Sequence, residues 1–288
     1  MIASSELIIN PDGSCFHLHL RPEQLADKVI MCGDPGRVDM IASFFDSKEC
    51  EVSSREFHTI TGTYQGKRIT ALSHGIGPDN IDIVMNELDA LKNIDFETRE
   101  VKPEHHTLEI VRVGTCGGLQ PFVPCGSYIL SRKSIGFDGV LNWYADRDKV
   151  ADLAFEKALV SAIQYPEKAA APYVVSADEQ LCDRLASKGD LVNGVTISAV
   201  GFYGPQGREL RLPIASSGIN QRIEAFCYQG QQITNYEMES APLAGFARLL
   251  GHHATTICLV VANRVAGNSN TGYKGEMPEL IKLVLDRI

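Results

Sequence analysis

The sequence holds little that would suit a metal, a membrane or a polyanion. Its eight cysteines are scattered at positions 15, 32, 50, 116, 125, 182, 227 and 258, and no two form C-x-x-C. That spacing argues against a zinc ribbon or a thioredoxin-type redox pair. Cys32 in VIMCGD and Cys258 in TICLVV sit in apolar runs, where a thiol behaves as a small core residue of a reducing compartment. No apolar run approaches the length of a membrane-spanning helix. Positive charge is in deficit: the formal net charge is -9 at pH 7. This disfavours sequence-independent binding to nucleic acid or to an anionic membrane. The first residues, MIASSELIINPDG, show no basic segment followed by an apolar one, so a cytoplasmic location is expected. None of the eight histidines falls in H-E-x-x-H, and the pairs His105–His106 and His252–His253 read as exposed, so no metal site is expected. Tryptophan occurs once, as Trp143 in VLNWYAD, and reads as packing rather than cofactor contact.

What is present is alternation. Short runs rich in Val, Ile and Cys end in glycine and are followed by helical spacing. KVIMCG (28–33) reads as a buried strand, and RVDMIASFF (37–45) as the helix after it. RITALSHGIG is a second strand running into glycines. IDIVMNELDALKN is an amphipathic helix carrying Ile83, Val84, Leu88 and Leu91. EIVRVGTCGG and GSYILSRKSI are further strands, and ATTICLVVANR is a late central one. A helix is expected over 239–250, stopped by Gly251. Strand, glycine turn and helix in repetition predict an α/β domain, whose ligands bind at the carboxyl ends of strands. No linker, repeat or low-complexity tract divides the chain, so one domain over 1–288 is expected. The polar stretch near 95–110 reads as an exposed insertion within it.

The unusual residues gather at those strand ends. CGDPGRV places Gly33 at a strand end and Arg37 at a helix start, where turn N–H groups and a guanidinium suit an anion. It matches neither G-x-G-x-x-G nor G-x-x-x-x-G-K-[ST], and a plain strand–helix turn stays open. Arg112 lies inside an apolar strand and needs either an internal carboxylate or a ligand. Thr115 opens the glycine-rich turn after it and can donate to an oxyanion. Arg55 beside Glu56 can be a surface pair of small consequence. AVGFYGPQGREL combines a flat ring, Phe202, with Gln206, which both donates and accepts, and Arg208, which donates several times. That set suits a heterocycle showing C=O, N–H and C=O along one edge; a mobile polar loop is the plain alternative. NYEMESA carries Glu237 and Glu239, either an acidic helix start or acceptors for the vicinal hydroxyls of a sugar.

The ordered set GDPGRV, SREF, GIG, RVGTCGGLQP, FYGPQGR, NYEMES and NR resembles the nucleoside phosphorylase I superfamily, and within it the branch that acts on uridine. The resemblance spans nearly the whole chain, from FHLHL at 16–20 to VVANR at 260–264. It implies a three-layer α/β/α fold with a mixed, partly barrel-like central sheet. It implies reversible phosphorolysis of uridine to uracil and ribose 1-phosphate. By the same resemblance Gly33, Arg37, Arg55, Arg112 and Thr115 hold phosphate, and Phe202, Gln206, Arg208 and Arg264 hold the base. His17, Glu237, Met238 and Glu239 hold the ribose, with Arg112, Arg208, Gln206 and Glu239 carrying catalysis. The substrates implied are a pyrimidine nucleoside and inorganic phosphate, with no cofactor. A homodimer, or a hexamer built of dimers, is implied, with Arg55 and His17 contributed across subunits. Part of the family also has a monovalent cation at the dimer interface, but GIGPDN departs here from GIGGPS. A purine-cleaving phosphorylase, a nucleosidase and a non-catalytic nucleoside-binding protein are the rival readings. An acid after the late strand would favour purines, and VVANRV has none.

Overall fold

A computed structural model describes residues 1–288. The chain runs β1 (Lys28–Cys32), α1 (Pro35–Ala42), β2 (Ser47–Ser54), β3 (Phe57–Tyr64), β4 (Lys67–Ser73) and α2 (Pro78–Asn93). A small hairpin follows, β5 (Ile94–Asp95) with β6 (Glu100–Val101), then the long β7 (Glu109–Gly118) and β8 (Tyr128–Gly136). Next come α3 (Leu153–Ile163), β9 (Tyr173–Ser176), α4 (Glu179–Leu185), β10 (Val192–Ser198) and α5 (Ile219–Ala225). The chain closes with β11 (Cys227–Tyr228), β12 (Gln231–Glu237), α6 (Ser240–Leu250), β13 (His253–Asn263), β14 (Asn268–Ser269) and α7 (Met277–Arg287).

The main sheet has the order β11-β12-β10-β8-β13-β7-β1-β4-β3-β2. β12 also pairs with β7, so β7, β13, β8, β10 and β12 close into a five-stranded ring. The sheet is mixed: β1 is parallel to β4 and β7, whereas β8 is antiparallel to β13. Period-two alternation sorts the side chains of β1 to opposite faces. Ile30 packs with α1, α4 and α7 through Val38, Leu181 and Ile281. Val29 and Met31 pack with α2 and α6 through Val84, Leu88 and Phe246. The result is the expected three-layer α/β/α arrangement, with its sheet partly rolled into a barrel. No helix is long and apolar enough to cross a membrane.

Local chemistry sets the helix starts earlier than apolar spacing alone suggested. The Asp34 carboxylate accepts the Gly36 N–H, and Pro35 occupies the first turn of α1. Pro78 does the same for α2. α6 ends at Gly251, which has φ +79°.

Three local expectations are corrected. The stretch at 95–110 is not an exposed insertion throughout. It begins in the β5–β6 hairpin, and Asn93 ties down His106 by accepting its N–H and donating to its carbonyl. Leu108 and Ile110 are already core residues. His252 is buried rather than exposed. Trp143 is 89% exposed rather than packed in the core; Leu141, in the same short turn, is the buried residue.

Candidate active site

The parallel strands β1, β4, β7 and β13 deliver their carboxyl ends to one side of the molecule, and β12 crosses β7 to join them. A cavity of about 790 Å³ opens there. It is lined by Gly33, Arg37, Arg112, Thr115, Phe202, Gln206, Arg208, Glu237, Met238 and Glu239. Residues from four separate segments thus share one wall.

At one end, the turns after β1 and β4 meet backbone to backbone. A Cβ on Gly33 would stand 2.9 Å from the Gly75 carbonyl oxygen, so only glycine permits the approach. Arg37, on the first turn of α1, is nearly buried and donates to the Val113 carbonyl at 3.1 Å. This anchors its guanidinium beside the end of β7.

Arg112 is the centre of the site and is 5% exposed. Its Nη1 faces Glu237 at 3.0 Å, and its Nη2 donates to Glu239. Its Nε donates to His74 Nε2 at 3.1 Å. Burial opposes the positive charge, but Glu239 and Glu237 together outweigh it and hold the pKa above its ordinary value. Gly114 makes the fold-back of this side chain possible, since a Cβ there would stand 2.5 Å from Arg112 Nη1. The alternatives for a charge in an apolar strand are therefore combined: Arg112 has internal carboxylates and also lines the cavity.

The two glutamates differ. Glu237 accepts from Ser198 Oγ at 2.6 Å, Ser240 Oγ at 2.7 Å and the Glu239 N–H at 2.8 Å, besides Arg112. That many donors saturate a carboxylate. Glu239 accepts only the Gly77 N–H, at 2.8 Å, and Arg112. It keeps acceptor capacity for further hydroxyls. Burial raises its pKa above the ordinary carboxylate range, against the pull of Arg112 and with the help of Glu237.

At the other end, Arg208 lies 3.8 Å over the Phe202 ring and donates to the Gln206 side-chain oxygen. Gln206 is 3% exposed. Burial, and then the nearby Arg264, lower the Arg208 pKa to about 10. Arg264 stands behind the wall, 5.4 Å from the Tyr236 ring, with Nη2 buried and without a partner. Two arginines, neither in a salt bridge although Glu224 lies close enough to act on Arg264, make this end electropositive, which suits a group that gains negative charge. Asn263, beside Arg264, is fully engaged: it donates to the Gln120 and Val123 carbonyls and accepts from the Ala266 N–H.

Three sequence candidates do not line the cavity of this chain: Arg264, Arg55 and His17. Arg55 sits at the β2–β3 turn with φ +55°, its guanidinium 5.9 Å from the Phe16 ring. His17, next to Phe16, is held by Glu87, with Nδ1 to Oε1 at 2.6 Å. Arg55 and His17 thus flank one aromatic on the outer surface. The surface pair read for Arg55 and Glu56 does not form, because Glu56, itself exposed, lies against Gly75 at the edge of the cavity. Sequence reading also missed His74, whose only signal is an ionisable residue ending an apolar strand, and Tyr236, which looked like a spacer in NYEMES.

Two groups of His and carboxylate side chains lie elsewhere, Asp89–His105–His252 and Asp39–Glu51–His58. His252 Nδ1 accepts the Leu108 N–H, so its proton is on Nε2, facing Asp89 at 3.2 Å. The two groups stand in close contact without hydrogen-bond geometry, and Nε2 is buried without a hydrogen-bond partner. In the second group His58 faces the exposed Asp39 at 3.2 Å, an ordinary imidazole–carboxylate contact.

Comparison with known proteins agrees with this geometry. The family model described as the phosphorylase superfamily matches residues 27–282. A uridine phosphorylase of Thermococcus kodakarensis is 29% identical over 281 residues, covering 95% of this chain and 85% of that one. A uridine phosphorylase of Haemophilus influenzae is 30% identical over 255 residues, covering 86% of each. The solved structure of a Trypanosoma brucei nucleoside phosphorylase, described as showing uridine phosphorylase activity, matches with a TM-score of 0.84, 27% identity and 98% coverage of each chain. With its family model spanning most of its length and its site at the carboxyl ends of the sheet, this chain belongs to the phosphorylase superfamily.

Proposed function

We propose that the chain is a uridine phosphorylase, a pentosyltransferase that converts uridine and phosphate to uracil and ribose 1-phosphate. The observation that carries the reading is the pairing of Gln206 with Arg208 over Phe202, at the far end of a cavity from Arg37 and Thr115. Phe202 offers a face for a flat ring. The Gln206 amide and the Arg208 guanidinium match the alternating carbonyl and N–H edge of uracil.

Cleavage of the glycosidic bond sends its electron pair to the uracil nitrogen and leaves the sugar with oxocarbenium character. Phosphate oxygen then bonds to C1′ from the opposite face, and the uracil anion takes a proton from solvent or from phosphate. Arg208 and Gln206 donate to the uracil oxygens as negative charge develops there. Glu239 accepts from the ribose hydroxyls, Met238 packs on the sugar, and both align C1′ for attack. Arg37, Arg112, Thr115 and the turn at Gly33 hold the phosphate. The saturated carboxylate of Glu237 acts as a post for Arg112 and for the backbone of Glu239. No covalent intermediate with the protein is required.

His17 and Arg55, side by side on the outer surface, complete the ribose and phosphate sites of a neighbouring subunit in this reading. The active unit is then at least a dimer. The engaged Asn263 offers no acid to protonate a purine N7, which favours a pyrimidine.

Incubating the protein with uridine and phosphate, and resolving the products by ³¹P NMR and ultraviolet absorbance, tests the reaction. Equal amounts of uracil and ribose 1-phosphate are expected. Free ribose in place of the phosphate ester would mean a nucleosidase.

A further inference from the structure

Arg112 has one neighbour that is neither acid nor thiol: His74. This residue follows β4 and precedes the turn at Gly75, and its ring is completely buried. Its Nε2 lies 3.1 Å from Arg112 Nε. A guanidinium nitrogen only donates, so Nε2 is the unprotonated nitrogen and the ring proton sits on Nδ1. That Nδ1 is buried with no hydrogen-bond partner. A buried N–H without a partner is unfavourable, and a leucine at the same place would avoid the penalty. The imidazole is therefore retained for what Nε2 does. Burial, then the charges of Arg112 and Arg37, push its pKa well below the ordinary value and keep the ring a neutral acceptor.

The guanidinium is planar, so fixing Nε together with the two terminal nitrogens fixes the direction of every N–H. Glu237 and Glu239 take one hydrogen each from Nη1 and Nη2. Without an acceptor at Nε, the same carboxylates would allow the plane to pivot. The second Nη1 hydrogen goes to Cys258 Sγ at 3.7 Å. We infer that His74 is a positioning residue for Arg112, setting the guanidinium plane so that the one remaining N–H, on Nη2, faces the phosphate between the Gly33 turn and Thr115. The inference rests on reading that end of the cavity as the phosphate site.

The test compares His74→Leu, His74→Gln and His74→Asn. Glutamine can place its carbonyl oxygen near the position of Nε2, and asparagine is too short. For His74→Leu the KM for phosphate should rise about tenfold, as expected for losing one charge-assisted hydrogen bond. The KM for uridine should stay within about twofold, and His74→Gln should recover most of the loss. Equilibrium binding of inorganic phosphate, measured by calorimetry without nucleoside, should follow the same order. If the leucine variant does not fold, glutamine near the parent and asparagine well below it carry the same result. Three variants with equal phosphate KM, or both KM values rising together, would overturn the positioning role. A parent protein that neither binds nor needs phosphate would instead overturn the reading of the site itself.

Discussion

Replacing Gly114 by alanine is the sharpest perturbation available, because one methyl group meets the centre of the site. The backbone of Gly114 has no left-handed conformation, so alanine brings no strain of its own. Its Cβ would stand 2.5 Å from Arg112 Nη1, 2.9 Å from Cys258 Sγ and 3.1 Å from Arg112 Cζ. Ordinary contact begins near 3.4 Å, so the guanidinium must retreat by about 0.9 Å. It cannot swing freely, because His74, Glu237 and Glu239 hold its three nitrogens. A misplacement of about 1 Å in a catalytic constellation lowers the rate by about 10²-fold. That corresponds to about 2.7 kcal/mol of transition-state stabilisation. Overpacking should also lower folding stability by about 1–3 kcal/mol. Steady-state kinetics with phosphate varied at saturating uridine, with urea unfolding alongside, reads both. In an Arg112→Met background the stability loss from Gly114→Ala should shrink to the part due to the 2.9 Å approach to Cys258 Sγ, since the closest contacts are with the guanidinium. Parental kinetics for Gly114→Ala, or an equal stability loss without the arginine, would refute the reasoning.

Further expectations concern other parts of the site and the fold. Arg208→Ala should lower kcat/KM for uridine about 10²-fold, through loss of a donor to the developing uracil anion, while the KM for phosphate stays near the parental value. Glu237→Gln turns an acceptor into a donor among serine and backbone donors and leaves Arg112 half paired. Urea unfolding should register a loss of about 3 kcal/mol or more. Asp138 supplies a pH signature: burial raises its pKa from 3.8 to about 6, and Tyr173 Oη donates to it. The native state holds that proton more tightly than the unfolded chain, so this group stabilises fully below pH 3.8 and loses its contribution as pH rises to about 6. At about 1.4 kcal/mol per pH unit, Asp138→Asn should therefore be the more stable protein at pH 8, by up to about 3 kcal/mol, with the advantage gone near pH 4.

Much of the fold was legible because its central strands carry their own punctuation. β1, β4, β7 and β13 are apolar runs that end at, or within two residues of, a glycine or an asparagine, and the helices after β1 and β4 show clean spacing. The hairpin of β2 and β3 escaped notice because SKECEVSS is an exposed edge strand with almost no apolar alternation. Closure of the ring was illegible for another reason: β12 meets β7 only through Asn235 and Tyr236, a pairing set by distant parts of the chain. Within the site, Arg112 stood out as a charge in an apolar strand, yet nothing local revealed that its partners are Glu237, Glu239 and His74. Gln206 and Arg208 share one loop, so their spacing sufficed to place them side by side. Trp143 misled, since a lone tryptophan usually packs, and here it tops an exposed turn.

The most direct measurement is kcat/KM for uridine and for inosine, side by side, with phosphate present and absent. The account predicts cleavage of uridine that requires phosphate, with a preference over inosine of about 10²-fold or more, as expected where a site hydrogen-bonds one base and leaves its polar groups unpaired with the other. Preferred cleavage of inosine would contradict the roles given to Gln206, Arg208 and Asn263. Uridine cleavage that proceeds equally well without phosphate would contradict the phosphorolysis itself.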